Sequence, residues 1–315
     1  MVVEHIVNLT GKTFSEGHPV PEAAGNVLRL IQHMAIDATS MGFRHASRLR
    51  GRRPDWLVQA SDIRFASLSA GPKNSTNLHF VAPRFGEAAP DIYRQGEFFS
   101  LRPKPEDTAF DLVGDALFDV EQEVRDSDRF DSGLLRRIES FKRTADDGIS
   151  LSLYGDRLPQ ARPARLDSKV IELATALDKQ IPLSKRSRIA GKLDMIRDSD
   201  KVFILILDDG TRVRGVWTGE DMNPLSENFG KYVVAEGQAV FRPSGSLLRL
   251  EAEAIRVSVE EDRFFSKLPL GTSEITFAQQ IKRPQMESSG ASAVFGRWPG
   301  DETEEEILTA LREMR

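Results

Sequence analysis

The five histidines, His5, His18, His33, His45 and His79, never stand four residues apart. A helix offers two imidazoles to one metal ion only at that spacing, so no zinc-type pair is legible. Cysteine is absent, which removes thiolate metal sites and disulfides together. The stretch "DSDRFDSG", residues 126–133, has the alternating aspartates of a calcium loop. Phe130 stands where an oxygen ligand belongs and no glutamate follows at the twelfth position, so the expectation is a helix start capped by Asp131 or Ser132. Asp208 and Asp209 precede Gly210 in a tight-turn pattern, where aspartate is favoured for backbone reasons. The stretch "AGPKNST" lacks the glycine, lysine and hydroxyl order of a phosphate loop. No serine sits on a nucleophile-elbow motif. These readings point to a chain without cofactor or metal, and not to an enzyme.

Two clusters remain. In "FRHASRLRGRRPDW", Arg44, Arg48, Arg50, Arg52 and Arg53 crowd beside Phe43 and Trp56, a combination able to hold phosphates and stack bases. Lys185, Arg186 and Arg188 in "LSKRSRIAGK" would extend this surface to RNA or DNA if both groups share a face.

The second cluster is "VFGRWPGDETEEEILTALREMR", residues 294–315. Thr303 with Glu306 forms a capping box, Asp301 to Glu306 place negative charge at the helix start, and Arg312 and Arg315 stand near its end. Ile307, Leu311 and Met314 fall on one stripe, with Phe295 and Trp298 before them across a Pro-Gly bend. A helix of about a dozen residues is marginal alone in water, so such a stripe needs a surface to bury against. That surface is the chain's own body or another protein's groove.

The order Phe295, Trp298, acidic cluster, "EEI" and "LREMR" resembles the toxin-neutralising tails of bacterial antitoxins that pair with PIN-domain ribonucleases. The resemblance implies that Phe295 and Trp298 anchor on the toxin and that Ile307, Leu311 and Met314 lie in its groove. It implies that Arg312 or Arg315 reaches the toxin's acidic, magnesium-binding pocket. The family's N-terminal DNA-binding module has no counterpart at the start of this chain, and the resemblance does not extend to residues 1–268. The function expected is that of a non-enzymatic, antitoxin-like binding protein, with single-stranded nucleic-acid binding by a β-barrel and the Arg-rich patch as the alternative.

The elements that must position these residues follow from length and periodicity. A chain of 315 residues, 40% hydrophobic and 29% charged, suits about two ordinary globular domains. The net charge of -5 neither demands nor excludes a nucleic-acid partner. No apolar run reaches membrane-spanning length, and the expected location is cytoplasmic.

The expected fold class is α+β, in three parts. Residues 1–159 form a mixed helix/strand domain, with a helix over 21–41 stopped by Gly42. "WLVQASDIRFASLSA" and "TNLHFVAP" are its strands, and two helices follow, one carrying Phe110, Val113, Leu117, Val120 and Val124, the other Leu134, Leu135, Ile138 and Phe141. Residues 160–268 form a helix, capped by Asp167 or Ser168, and a small antiparallel β-barrel, OB-like or SH3-like. Residues 269–315 form a linker and an extended C-terminal tail with a short helix.

Overall fold

Before the first expected helix the chain forms a strand, β1 (Val2–Thr10), that the sequence reading did not assign. His5, Val7 and Leu9 alternate into the interior, and this period of two is the physical signature missed in a short run of mixed composition. The computed structural model of the chain describes residues 2–11, 18–48, 51–72, 75–93, 102–154 and 163–271. The tail, with Phe295, Trp298, Ile307, Leu311, Arg312, Met314 and Arg315, lies outside the described residues, as does Arg50.

Helix α1 (Pro21–Arg44) starts with Pro21 in its first turn, as expected, but runs through Gly42. A Cβ on Gly42 would lie 2.8 Å from Leu112 Cδ1, so glycine serves close packing there. The chain leaves the helix at His45, in the left-handed region at φ 52°. The strand expected from Trp56 onward begins later: Asp55–Ala60 is a helix, α2, that buries Leu57 and Ala60. The two expected strands then pair as a hairpin, β2 (Arg64–Gly71) and β3 (Ser75–Pro83). Two single turns, α3 (Phe85–Ala88) and α4 (Pro90–Tyr93), come next.

Helix α5 (Ala109–Glu121) is opened by a capping box between Thr108 and Asp111. It buries Phe110, Val113, Leu117 and Val120, whereas Val124, expected on the same stripe, lies past the helix end and is 38% exposed. The following helical segment is broken into α6 (Ser132–Glu139) and α7 (Lys142–Asp146). The elements β4 (Ser150–Tyr154), β5 (Ala164–Leu166) and α8 (Ser168–Gln180) follow, with Asp167 capping α8 through Val170 N at 3.0 Å.

The five strands order as β2-β3-β1-β4-β5. The inward face of the sheet and the stripes of α1, α5 and α6 make one core, in which Val7, Leu78, Phe80, Leu117 and Leu134 are buried. Each such side chain contributes about 1.5–3 kcal/mol through burial. Val170, Ile171, Ala174 and Leu177 of α8 belong to this core too, so the helix grouped by sequence with the barrel packs on the N-terminal sheet.

The barrel comprises β6 (Lys185–Arg197), β7 (Val202–Ile206), β8 (Arg212–Trp217), a single turn α9 (Asn223–Ser226), β9 (Tyr232–Phe241) and β10 (Leu247–Val257). It closes in the order β10-β8-β7-β6-β9 around Leu193, Phe203, Leu205, Val233 and Leu250. The expected all-antiparallel barrel needs one correction, because β10 pairs β8 in parallel. The turns at Gly210 (φ 82°) and Gly245 (φ 88°) have the positive φ that their glycines permit. Among the described residues, no helix is long and apolar enough to cross a membrane.

Candidate functional site

Arginines of the barrel meet the aspartates of "DSDRFDSG", and the chemistry of this seam begins with a helix cap. Asp131 caps α6 by accepting from Leu134 N at 3.1 Å, as the sequence predicts. The same carboxylate accepts from Ser47 N (3.1 Å) and Ser47 Oγ (2.5 Å), and from Arg249 Nη1 of β10 at 3.2 Å. Arg249 is only 5% exposed, and it also donates to the carbonyl of His45 at 2.7 Å.

Three residues earlier, Asp128 receives Arg214 of β8 at 2.7 Å and Arg242 of the β9–β10 loop. Hydrogen bonds from Arg242 and Arg214 and their positive charge hold its carboxyl below the usual range despite the opposing effect of burial. Asp126 accepts from Ser244 and from Ser246 at 2.7 Å. A calcium-like spacing of aspartates is therefore occupied by arginines and serines. Among the described residues, no group of histidines and carboxylates is placed to hold a metal ion.

At the other end of the seam, Arg197 Nη2 lies 2.9 Å from Asp200 Oδ2, both buried, and donates to the carbonyl of Phe43 at 3.2 Å. Burial raises the Asp200 carboxyl above its ordinary range, against the pull of Arg197, Arg102 and Arg44. Trp56 Nε1 donates to Ser199 O at 2.9 Å, tying α2 to the β6–β7 loop. His45 sits between these points. Burial, with Arg214 next, pushes its imidazole down to about 3, so it is neutral and its Nδ1 faces Arg214 Nη1 at 3.4 Å.

The basic residues singled out in the sequence are dispersed and mostly engaged. Arg44 ends α1 largely buried, and desolvation lowers its guanidinium from its ordinary value. Arg48 faces Asp37 at 3.6 Å and Arg52 faces Asp55 at 3.4 Å, while Arg53 is exposed. On the barrel, Arg186 and Arg188 share Glu236 at 2.9 and 3.0 Å, and their hydrogen bonds hold that carboxyl below its usual range. Lys185 donates to Leu270 O at 2.8 Å.

Arg44, Arg48 and Arg52 line a cleft of about 870 Å³, whereas Lys185, Arg186 and Arg188 do not, although Arg186 lies 3.8 Å from its lining residue Glu253. Glu251 and Glu253 share this lining with the arginines, so the cleft is of mixed charge and not a continuous basic stripe.

The fold also assembles a group that sequence spacing could not connect. Ser69 Oγ on β2 lies 2.7 Å from His79 Nε2 on β3, whose Nδ1 lies 3.0 Å from Glu4 Oε1 on β1. The only signal in the sequence was alternation within a hairpin, since Ser69 and His79 are diagonal neighbours across the β2–β3 register. Neither protein-family models, nor curated proteins, nor solved structures yielded a match to this chain.

Proposed function

We propose that this chain is an antitoxin-like, cytoplasmic binding protein that inhibits a PIN-domain ribonuclease through residues 294–315, by occupancy and not by a chemical step. One observation carries this reading: the capping box, acidic start and apolar stripe of the tail, preceded by two aromatic anchors. An arginine fork can pair with carboxylates that otherwise hold Mg²⁺, so Arg312 or Arg315 inserted in the partner's pocket would compete with its metal.

The test is a pull-down from the native host with the full chain and with a form ending at Val294. A small ribonuclease retained by the full chain alone is the expected result. Equal retention by both forms would sink the proposal. Trp298→Ala should weaken binding by about 2 kcal/mol if it is an anchor.

A second reading rests on the barrel's topology. Numbered along the barrel, its strands close in the order 1-2-3-5-4 with strands 3 and 5 parallel, which is OB-like. Such barrels bind single strands on the face of strands 2 and 3 between two flanking loops. Here those loops engage the N-terminal layer, through Ser199 and through Ser244 and Arg242. Ile204 and Val216 on the same outer face are buried outside the barrel's own core. This leaves the rim at Arg48, Arg52 and Arg53 for phosphate. Binding to single-stranded RNA at low salt, falling steeply as salt is added, would favour this reading, and no binding at low salt would dispose of it.

A further inference from the structure

We infer that Ser69, His79 and Glu4 form a nucleophile, base and orienting carboxylate able to hydrolyse short-chain esters of polar alcohols. The inference is independent of the tail. In such a relay the serine hydroxyl donates to one imidazole nitrogen while the other donates to a carboxylate, which sets the tautomer. The bonds at 2.7 Å and 3.0 Å supply this order, with the serine on Nε2 and the glutamate on Nδ1. Three adjacent strands hold the three side chains on the sheet face opposite the helices. Ser69 and Glu4 are exposed, so an ester can reach the oxygen without any opening of the fold.

A developing oxyanion needs a donor beside the serine. Asn77 is paired directly across from Ser69. Its Oδ1 accepts from Asn8 Nδ2 on β1 at 2.7 Å, so its own NH₂ group is the donor this side chain has to offer. As an edge strand, β2 also leaves alternate backbone N–H groups directed away from β3. On its Asn77 side the floor beside the relay is polar, with Asn8 bonded to Ser75 and Thr10 to Ser150, which suits a hydrogen-bonding alcohol portion, while Ile6 is paired across from His79. The open face suits a short acyl group and offers no enclosed pocket for a long one.

The chemistry balances with water as the co-reactant. Ser69 Oγ bonds to the acyl carbon while its proton passes to His79 Nε2. The carbon–oxygen bond to the alcohol then breaks, and the departing oxygen takes that proton. Water attacks the acyl-serine, giving its proton to His79, which returns it to Ser69 as the acid leaves.

The test treats the full folded chain with a fluorophosphonate and, separately, with p-nitrophenyl acetate. The phosphonylated serine is located in the tryptic peptide of residues 65–73, where fragmentation separates Ser67 from Ser69. Labelling of Ser69 should exceed that of the urea-unfolded chain at least tenfold and fall at least tenfold in His79→Ala and Glu4→Gln. Ester turnover should vanish in Ser69→Ala, which removes one exposed hydroxyl, with circular dichroism verifying the fold of each variant. Labelling no greater than in urea, or turnover unchanged in Ser69→Ala, would mean a polar ladder without nucleophilic function and would overturn the inference.

Discussion

Asp131 caps a helix in the N-terminal layer and, through the same carboxylate, receives Arg249 from the last strand of the barrel. One side chain thus closes a local element and joins two parts of the fold. Arg249 reaches it as a buried cation that also holds the carbonyl of His45 and, at 2.7 Å, Glu251. Removing one partner of a buried pair strands the other charge, which generally costs more than the pair itself contributes. Arg249→Ala should therefore destabilise the chain by about 3–5 kcal/mol in urea unfolding. A loss under about 1 kcal/mol would show that the seam is not coupled to folding.

Acid should loosen the seam at His45 before it protonates the lowered carboxylates, while the raised Asp200 acts in the opposite sense. His45 is neutral and buried, with its folded value near 3 against an ordinary 6.5. A histidine lowered by folding binds more protons when unfolded, so its contribution is complete above about 6.5 and is lost as pH falls toward 3. His33 is lowered in the same sense. Between pH 7.5 and 5 the loss from His45 should be about 2 kcal/mol. The lowered Asp128, Asp126 and Asp262 act only further down, below the ordinary carboxylate value near 3.8. Stability measured by denaturant at both pH values should show the difference, and His45→Asn, which tolerates the left-handed backbone, should flatten it.

Two glycine-to-alanine changes should have opposite signs. At Gly237 a Cβ would stand 1.9 Å from the carbonyl oxygen of Glu251, beside the β10 bulge between Ala252 and Ala254. Backbone cannot yield as a side-chain tip does, so Gly237→Ala should cost about 2–3 kcal/mol. Gly25, inside α1, has nothing within 4 Å of its added Cβ. Gly25→Ala should raise stability by about 0.5–1 kcal/mol through helix propensity. Thermal unfolding of the two variants checks both signs.

Trp56 should act as a pin between α2 and the β6–β7 loop. Its ring meets Phe43 edge-on at 5.2 Å while its Nε1 holds Ser199 O. Trp56→Phe keeps most of the apolar contact and deletes the bond, and should cost about 1 kcal/mol. Faster amide exchange confined to Asp198–Lys201 would show that the bond orders that loop.

What sequence patterning exposed, and what it hid, follows the reach of each interaction. Local signals were legible: the Asp131 and Asp167 caps, the Gly210 turn and the barrel's strands all depend on neighbours a few residues away. The helix end at Gly42 was misread because glycine there serves a contact with Leu112, seventy residues on, and not a stop. β1 was missed because a central strand buries side chains against partners that only the fold supplies. The seam was invisible for the same reason. Asp128 reads as one of the alternating aspartates of a calcium-like loop, and only topology reveals that Arg214 and Arg242 converge on it. The Ser69, His79 and Glu4 group spans three strands, so no spacing rule could have joined Glu4 to a histidine 75 residues away.

The aspartates at 126, 128 and 131 bear on the barrel much as the phosphates of a single strand would. They occupy serines and arginines of its loop and strands, spaced along a short turn-rich stretch of chain. If the barrel binds a single strand as in the second reading, this segment is its tethered competitor. Because it is covalently attached, its effective concentration is that of an intramolecular ligand, reached by linkers only in the millimolar range or above. On that reading a free polyanion would first have to displace a rival that never diffuses away.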